Sequence, residues 1–256
     1  MINSVTFNIP QLDKMKEYPK ELFYTGNTNL LQKKMISIVG TRRPNAYTKK
    51  FTHELAQKLS SKNICIVSGA AMGVDALAHN GAGVSNTIAV VANGLDIRYP
   101  AVNKNLITQI EKEGLMLSQF PQSEKPRAYT FVQRNEIVVA LGDILIVTQA
   151  DRNSGSLRSV EFALEMGKEI YTLPHRIGES LGTQDLLKSG FAEVIYDIDS
   201  FIESLGYNQE KILDDDILEF CKTYPTYDEA VSKFGEKIFE YELLGKIKIG
   251  NGIISL

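Results

Sequence analysis

Cysteine and histidine are scarce in this 256-residue chain, at two and three copies. Cys65 and Cys221 lie far apart and read as buried free thiols, not as a disulfide or metal pair. His53, His79 and His175 are scattered without the spacing of a zinc site. No metal and no cofactor are therefore expected. No apolar run approaches the ~20 residues of a membrane span. Residues Met1–Pro10 carry neither a basic start nor the apolar stretch of a secretion signal. The expectation is a cytoplasmic protein without membrane attachment. The G-x-x-x-x-G-K-[ST] and G-x-G-x-x-G signatures of ATP and dinucleotide sites are also missing. So are a Ser–His–Asp order and a paired-carboxylate signature, and no catalytic residue is assigned.

What is present is ordinary globular composition, 43% hydrophobic and 23% charged. The length suits one large α/β domain with a small appendage. Net charge is only −3, but it is unevenly spread. Residues 207–256 hold six lysines, no arginine and ten acidic groups, a net of −4. The remainder holds 22 basic and 21 acidic groups, a net of +1. A polyanion should prefer the large domain and be repelled by the small one.

Periodicity divides the chain into three parts. Residues 1–34 read as short helices and turns, a lead-in to the core. Residues 35–206 alternate apolar runs with amphipathic helices. Strands are expected at Met35–Val39, Asn63–Val67, Thr87–Val91, Leu115–Ser118, Ile144–Thr148 and Glu169–Leu173, with an edge strand near Val194–Tyr196. Helices are expected at 47–62, 72–83, 103–113, 132–141 and 156–167. This pattern indicates a mostly parallel sheet with helices on both faces. Ligands of such sheets bind beyond the carboxyl ends of the strands. In residues 207–256, Asp214-Asp215-Asp216 can start a helix. Two further helices and a hairpin about Asn251-Gly252 would complete a winged-helix-like domain.

Several strand-end loops carry chemistry suited to a phosphate chain. Gly40-Thr41-Arg42-Arg43 offers a glycine beside two forked cations. Ser68-Gly69 opens a small-residue loop into a helix, where free N–H groups attract anions. Ser154-Gly155-Ser156 repeats that arrangement. Between Lys125 and Asn135 basic and aromatic residues are mixed, and Arg127, Phe131, Arg134 and Asn135 could combine phosphate contact with base stacking. Each loop also has a purely structural reading. Asp75 reads as a helix-dipole or structural group, able to pair with His79 one turn later. Asp96, Tyr99, Pro100 and Asn103 read as turn and cap residues.

Taken together, these segments resemble the DprA/Smf family over roughly residues 35–195. The match reads Gly40-Thr41-Arg42, Ser68-Gly69-x-Ala71-x-Gly73-Val74-Asp75, His79, Gly94-Leu95-Asp96-x-x-Tyr99-Pro100-x-x-Asn103, Phe131-x-x-Arg134-Asn135, Ser154-Gly155-Ser156-Leu157 and Gly182-Thr183. The resemblance implies an extended Rossmann-like fold with a winged-helix-like C-terminal domain. It also implies a homodimer that binds single-stranded DNA without sequence preference and loads RecA recombinase during natural transformation. Arg42 matches the family's phosphate-binding arginine and Phe131 its base-contacting aromatic, and Arg127 is the nearest basic residue before it. Four places depart from the pattern: Gln119-Phe120-Pro121, Glu136 in place of a second arginine, Gln184 and Phe191.

A different class competes with this reading. Nucleoside-monophosphate phosphoribohydrolases share a related fold, and Glu161, four residues after Leu157, could stand for their catalytic glutamate. Their Pro-Gly-Gly-x-Gly-Thr loop is replaced here by Asn153-Ser154-Gly155-Ser156. The favoured expectation is a non-enzymatic DNA-binding mediator.

Overall fold

Continuous apolar runs bury best as central strands of a sheet covered on both sides. The computed structural model follows that rule and describes residues 2–206, 216–235, 237–250 and 252–256. The chain divides into two units, Met1–Ile202 and Glu203–Leu256.

In the first unit, nine strands among the described residues form one sheet. They are β1 (Asn3–Ser4), β2 (Phe23–Gly26), β3 (Met35–Val39), β4 (Cys65–Ser68), β5 (Thr87–Val90), β6 (Leu115–Ser118), β7 (Ile144–Val147), β8 (Ile170–Thr172) and β9 (Glu193–Val194). Their spatial order is β1-β2-β6-β5-β4-β3-β7-β8-β9. Strands β3 to β9 pair in parallel. β1 and β2 join antiparallel at the β6 edge. Every residue of β3 to β7 is buried. A fully buried Val, Leu or Ile contributes ~1.5–3 kcal/mol, so these five strands anchor the unit.

The helices are α1 (Ala46–Ser61), α2 (Val74–Ala82), α3 (Lys104–Glu113), α4 (Ala128–Leu141), α5 (Ser156–Glu165), α6 (Leu181–Lys188) and α7 (Ile198–Ser204). Alternating strand residues serve the two faces. Val67, Val90, Leu117 and Val147 share a cluster with Ile137–Leu141 of α4 and with Val160 and Ala163 of α5. Ala89 and Met116 instead meet Leu106, Ile107 and Ile110 of α3. The architecture is Rossmann-like, as the alternation predicts.

Three details differ from the sequence expectation. The lead-in supplies two strands as well as short 3-10 turns at Pro10–Lys14 and Thr28–Gln32, and its Ile9, Leu12, Leu30 and Leu31 enter the main core. Helix α4 begins at Ala128, four residues early, because the Thr130 hydroxyl accepts from the Arg127 N–H at 2.9 Å and can return a bond to the Arg127 carbonyl. Helices α6, around the Gly182-Thr183 motif, and α7 fill segments for which no helix was expected. At the far end of α4, the Lys168 ammonium donates to the carbonyls of Val139 and Ala140, both at 2.7 Å, and of Gly142. It takes up helix-terminal acceptors that would otherwise be buried unpaired.

Strand order reverses between β3 and β7, since β4 to β6 lie on one side of β3 and β7 to β9 on the other. Chain leaving those neighbours turns opposite ways, which opens a crevice beyond their carboxyl ends. The loops after β3, β4 and β7 meet there.

The second unit holds α8 (Asp216–Cys221), α9 (Tyr227–Phe234), α10 (Lys237–Leu243) and a hairpin of β10 (Lys248–Gly250) and β11 (Ile253–Ser255). Thr226 and Glu229 cap α9 reciprocally. Ile217, Cys221, Ala230, Ile238, Ile247 and Ile254 form its core. Asp214, Asp215, Glu236 and Asn251 lie outside the described residues. Cys65 and Cys221 are both buried, and among the described residues neither is in a disulfide. No helix among the described residues is long and apolar enough to cross a membrane.

Candidate functional site

The crevice is an open cavity of about 270 Å³. Three loops and one helix face build its wall. Gly40 and Arg42 follow β3, Gly69 and Ala71 follow β4, and Ser154, Gly155 and Ser156 lead into α5. Phe131, Arg134, Asn135 and Val138 come from α4. Their spacing puts them on one face of that helix, which an extra turn before residue 132 makes possible.

The chemistry is concentrated in a few atoms. The exposed Arg42 guanidinium sits over the Phe131 ring at 4.9 Å. The N-terminus of α5, with hydroxyls at Ser154 and Ser156, faces the same space and favours negative charge. Two guanidinium groups, Arg42 and Arg134, stand against one carboxylate, Asp75, so the wall is positive on balance. This set can hold a phosphate beside an apolar ring.

Comparison with known proteins places the chain. Residues 6–206 match DNA recombination-mediator protein A. The chain belongs to the DNA recombination-mediator protein A family. It is 36% identical over 196 residues to Protein Smf of Synechocystis sp., covering 73% of this chain and 49% of that protein. It is 33% identical over 213 residues to DNA processing protein DprA of Bacillus subtilis, covering 80% and 71%. The chain thus spans about half the length of some curated relatives that it matches. Among solved structures, it superposes on DNA processing protein A from Helicobacter pylori with a TM-score of 0.78 and 38% identity, covering 80% of this chain and 95% of that one. That structure concerns a single-stranded DNA binding mode of the Helicobacter protein. Streptococcus pneumoniae DprA gives 0.73 and 32%, covering 79% and 73%.

Within this family member, the structure sorts the expected site residues. Gly40, Arg42, Gly69, Phe131, Arg134, Asn135, Ser154, Gly155 and Ser156 converge on the cavity. Thr41, Arg43 and Arg127 are not part of its wall. The Thr41 hydroxyl accepts from the Arg43 N–H at 3.2 Å, and Arg127 stands 3.8 Å from Glu124. Ser68 needs correction: it is fully buried in β4 and its hydroxyl donates to the Ile38 carbonyl at 2.6 Å, so no ligand reaches it. Glu161 is exposed on α5 and bonded to Arg158 at 2.6 Å, outside the cavity wall, which removes the support for a catalytic glutamate.

Arg134 and Gly40 do other work than expected. Arg134 is 4% exposed and donates to the carbonyls of Gly69 and Val90 and to Asn135 Oδ1. It contributes a fixed positive charge while its Nη1 and Nε are already engaged. A Cβ on Gly40 would lie 2.7 Å from Val74 Cγ2, so this glycine is required by packing against α2 while its backbone borders the cavity. Asn103, expected as a cap, makes no side-chain cap; its amide donates to the carbonyls of Ala70 and Ala71 at 3.0 and 2.9 Å.

Asp75 and His79 do not bond each other, although helical spacing allows it. The Asp75 carboxylate accepts from the Ala71 N–H at 3.3 Å, and burial raises its pKa against the opposing pull of Arg134. His79 Nε2 accepts from the Ala70 N–H at 3.3 Å. Nδ1 then carries the proton and donates to Thr87 Oγ1 at 2.6 Å, which donates on to the Ile66 carbonyl at 2.7 Å. Burial lowers the His79 pKa to about 3, with Arg134 pushing the same way. The unfolded chain therefore takes a proton near pH ~6.5 while the folded one refuses it. This contribution is complete above that pH and is lost as pH falls toward 3. The expected outcome is a thermal midpoint that drops between pH 7 and 4, with a shallower drop in His79→Gln. The raised pKa of Asp75 acts in the opposite sense, so the difference between the two proteins isolates His79. Parallel curves would assign the acid sensitivity elsewhere.

Proposed function

We propose that this protein binds single-stranded DNA without sequence preference and loads RecA onto it as a recombination mediator in natural transformation. The observation that carries this reading is Arg42 stacked on Phe131 beside the N-terminus of α5. A single strand offers phosphates and unstacked bases at one spacing, and this cavity answers both. Family membership and the likeness to the Helicobacter pylori protein support it. The side chains that meet the strand are Arg42, Phe131, Asn135, Ser154 and Ser156, with backbone from Gly40, Gly69 and Gly155. Arg127, Thr41 and Arg43 flank its path, and Arg134 acts through its field. The work is binding, not covalent chemistry.

The protein acts as a homodimer in this proposal. Phe191 and Tyr196, both exposed beside the edge strand β9, offer apolar surface of the kind that subunits cover. The second unit is read as winged-helix-like. Glu240 and Glu242 lie on α10, and like charge opposes phosphate, so its role is a protein contact.

A mobility shift on a ~35-nucleotide strand tests the central claim. Binding is expected to weaken with salt at a log–log slope of about −0.7 per phosphate neutralised. Arg42→Ala should cost about 1.5–3 kcal/mol, as loss of a charge-assisted bond does. Tighter binding to duplex, or unchanged affinity in both Arg42→Ala and Phe131→Ala, would overturn the reading.

A further inference from the structure

We propose that Tyr99 is a second base-stacking residue, and that the strand runs from the Arg42–Phe131 cavity over the loop 92–100. This rests on the single-strand reading above and extends it to a residue that the sequence suggests only as part of a turn. Next to the main cavity lies a narrow cleft lined by Met72, Ala92, Asn93, Tyr99 and Pro100, sharing Arg42, Gly69, Ala71 and Phe131 with it. The two spaces are therefore continuous along one wall.

Tyr99 has the properties of a binding ring and lacks those of a core ring. It is 41% exposed, and its hydroxyl makes no hydrogen bond among the described residues. Its centroid is 6.1 Å from that of Phe131, with the planes tilted by 53°. A flat base needs about 3.5 Å on each face. Rings this close and this tilted cannot sandwich one base between them. Tyr99 can instead offer its exposed face to the base next to the one held at Phe131 and Arg42. Met72, also 41% exposed, supplies a soft apolar edge beside them.

The loop that presents Tyr99 is held before any ligand arrives. The Asn93 amide donates to the carbonyls of Gly94 and Ile97 at 2.9 and 2.7 Å. Asp96 accepts from the Ser123 N–H at 2.9 Å. Asn103 ties the same stretch to the Ala70–Ala71 backbone behind the main cavity. A ring fixed in this way loses little freedom on stacking, which is what makes an exposed aromatic useful for affinity.

The test uses the full chain and a ~35-nucleotide thymidine strand, with Tyr99→Ala, Tyr99→Leu, Tyr99→Phe and Arg42→Ala side by side. Tyr99→Ala and Tyr99→Leu are expected to weaken binding roughly 5- to 100-fold, the range for one lost base stack. Tyr99→Phe keeps the ring and should stay within about twofold of wild type. Single abasic nucleotides walked along a short strand should reveal one position that matters in wild type and stops mattering in Tyr99→Leu. Equal melting temperatures separate lost stacking from lost folding, and the leucine variant stands in should alanine loosen the loop. Wild-type affinity in Tyr99→Leu, with Arg42→Ala weakened, would overturn this inference and leave the binding site intact. Failure of the wild type to bind the strand would instead remove both.

Discussion

Arg134→Met is expected to destabilise the first unit by about 3–5 kcal/mol, measured by urea denaturation. The substitution removes a buried cation on which three things depend. The carbonyls of Gly69 and Val90 lose their shared donor, Asn135 Oδ1 loses another, and the buried Asp75 loses its main opposing charge. Methionine restores the volume and none of the bonds. Arg134→Lys should fall between, because a single ammonium carries the charge but not the fork that spans both carbonyls and the amide. DNA binding should fail in Arg134→Met even where the chain remains folded, since the loops after β4 and β5 lose their common tie. Stability within about 1 kcal/mol of wild type would mean that the guanidinium is not the tie described.

Gly73→Ala is the second change expected to have a large effect, although glycine contributes no side chain to the site. Gly73 has φ +78° and ψ −126°, a conformation open to glycine and strained for any residue with a Cβ. An added Cβ would also meet backbone: the Thr41 carbonyl oxygen, and Arg42 C and Cα at 2.6 and 2.7 Å. The only relief is to push the Arg42 loop outward, and the Val74 N–H bond to the Thr41 carbonyl, at 3.1 Å, is lost with it. The expected cost is at least about 2 kcal/mol. Single-strand affinity should drop at least as far as in Arg42→Ala, because the whole loop moves and not one side chain. Gly155→Ala is the control: it sits in ordinary helical geometry with nothing within 4 Å of the added methyl, and its melting temperature should match wild type. A Gly73→Ala protein with wild-type stability and affinity would show that the two loops are not interlocked.

Much of the fold was legible because buried parallel strands must be apolar along their whole length. Runs such as Met35–Val39 and Leu115–Ser118 admit few other uses, and both become strands with the expected bounds. β1 and β2 were not legible. Asn3-Ser4 and Phe23-Tyr24-Thr25-Gly26 carry no alternation; β2 is a strand because the β6 edge offers unpaired backbone groups, and β1 because β2 then does. The site was legible in outline through its glycine, serine and arginine loops. Its detail was not, because Phe131 joins the α4 face only once Thr130 extends that helix by a turn. Ser68 misled for a similar reason: a serine at a strand end looks like a phosphate ligand until the neighbouring strand's carbonyl claims its hydroxyl.

The order of apolar runs and helices along the chain was enough to settle the class of sheet and the rim at which the cavity opens, since both follow from local pattern and chain handedness. Which arginine is free to meet that ligand was decided only by folding. Arg42 and Arg134 are alike in composition and charge. Arg134 is spoken for by carbonyls 65 and 44 residues away, and Arg42 is left facing solvent over an aromatic ring. Burial and pairing depend on neighbours distant in sequence, and only the assembled sheet brings those neighbours together.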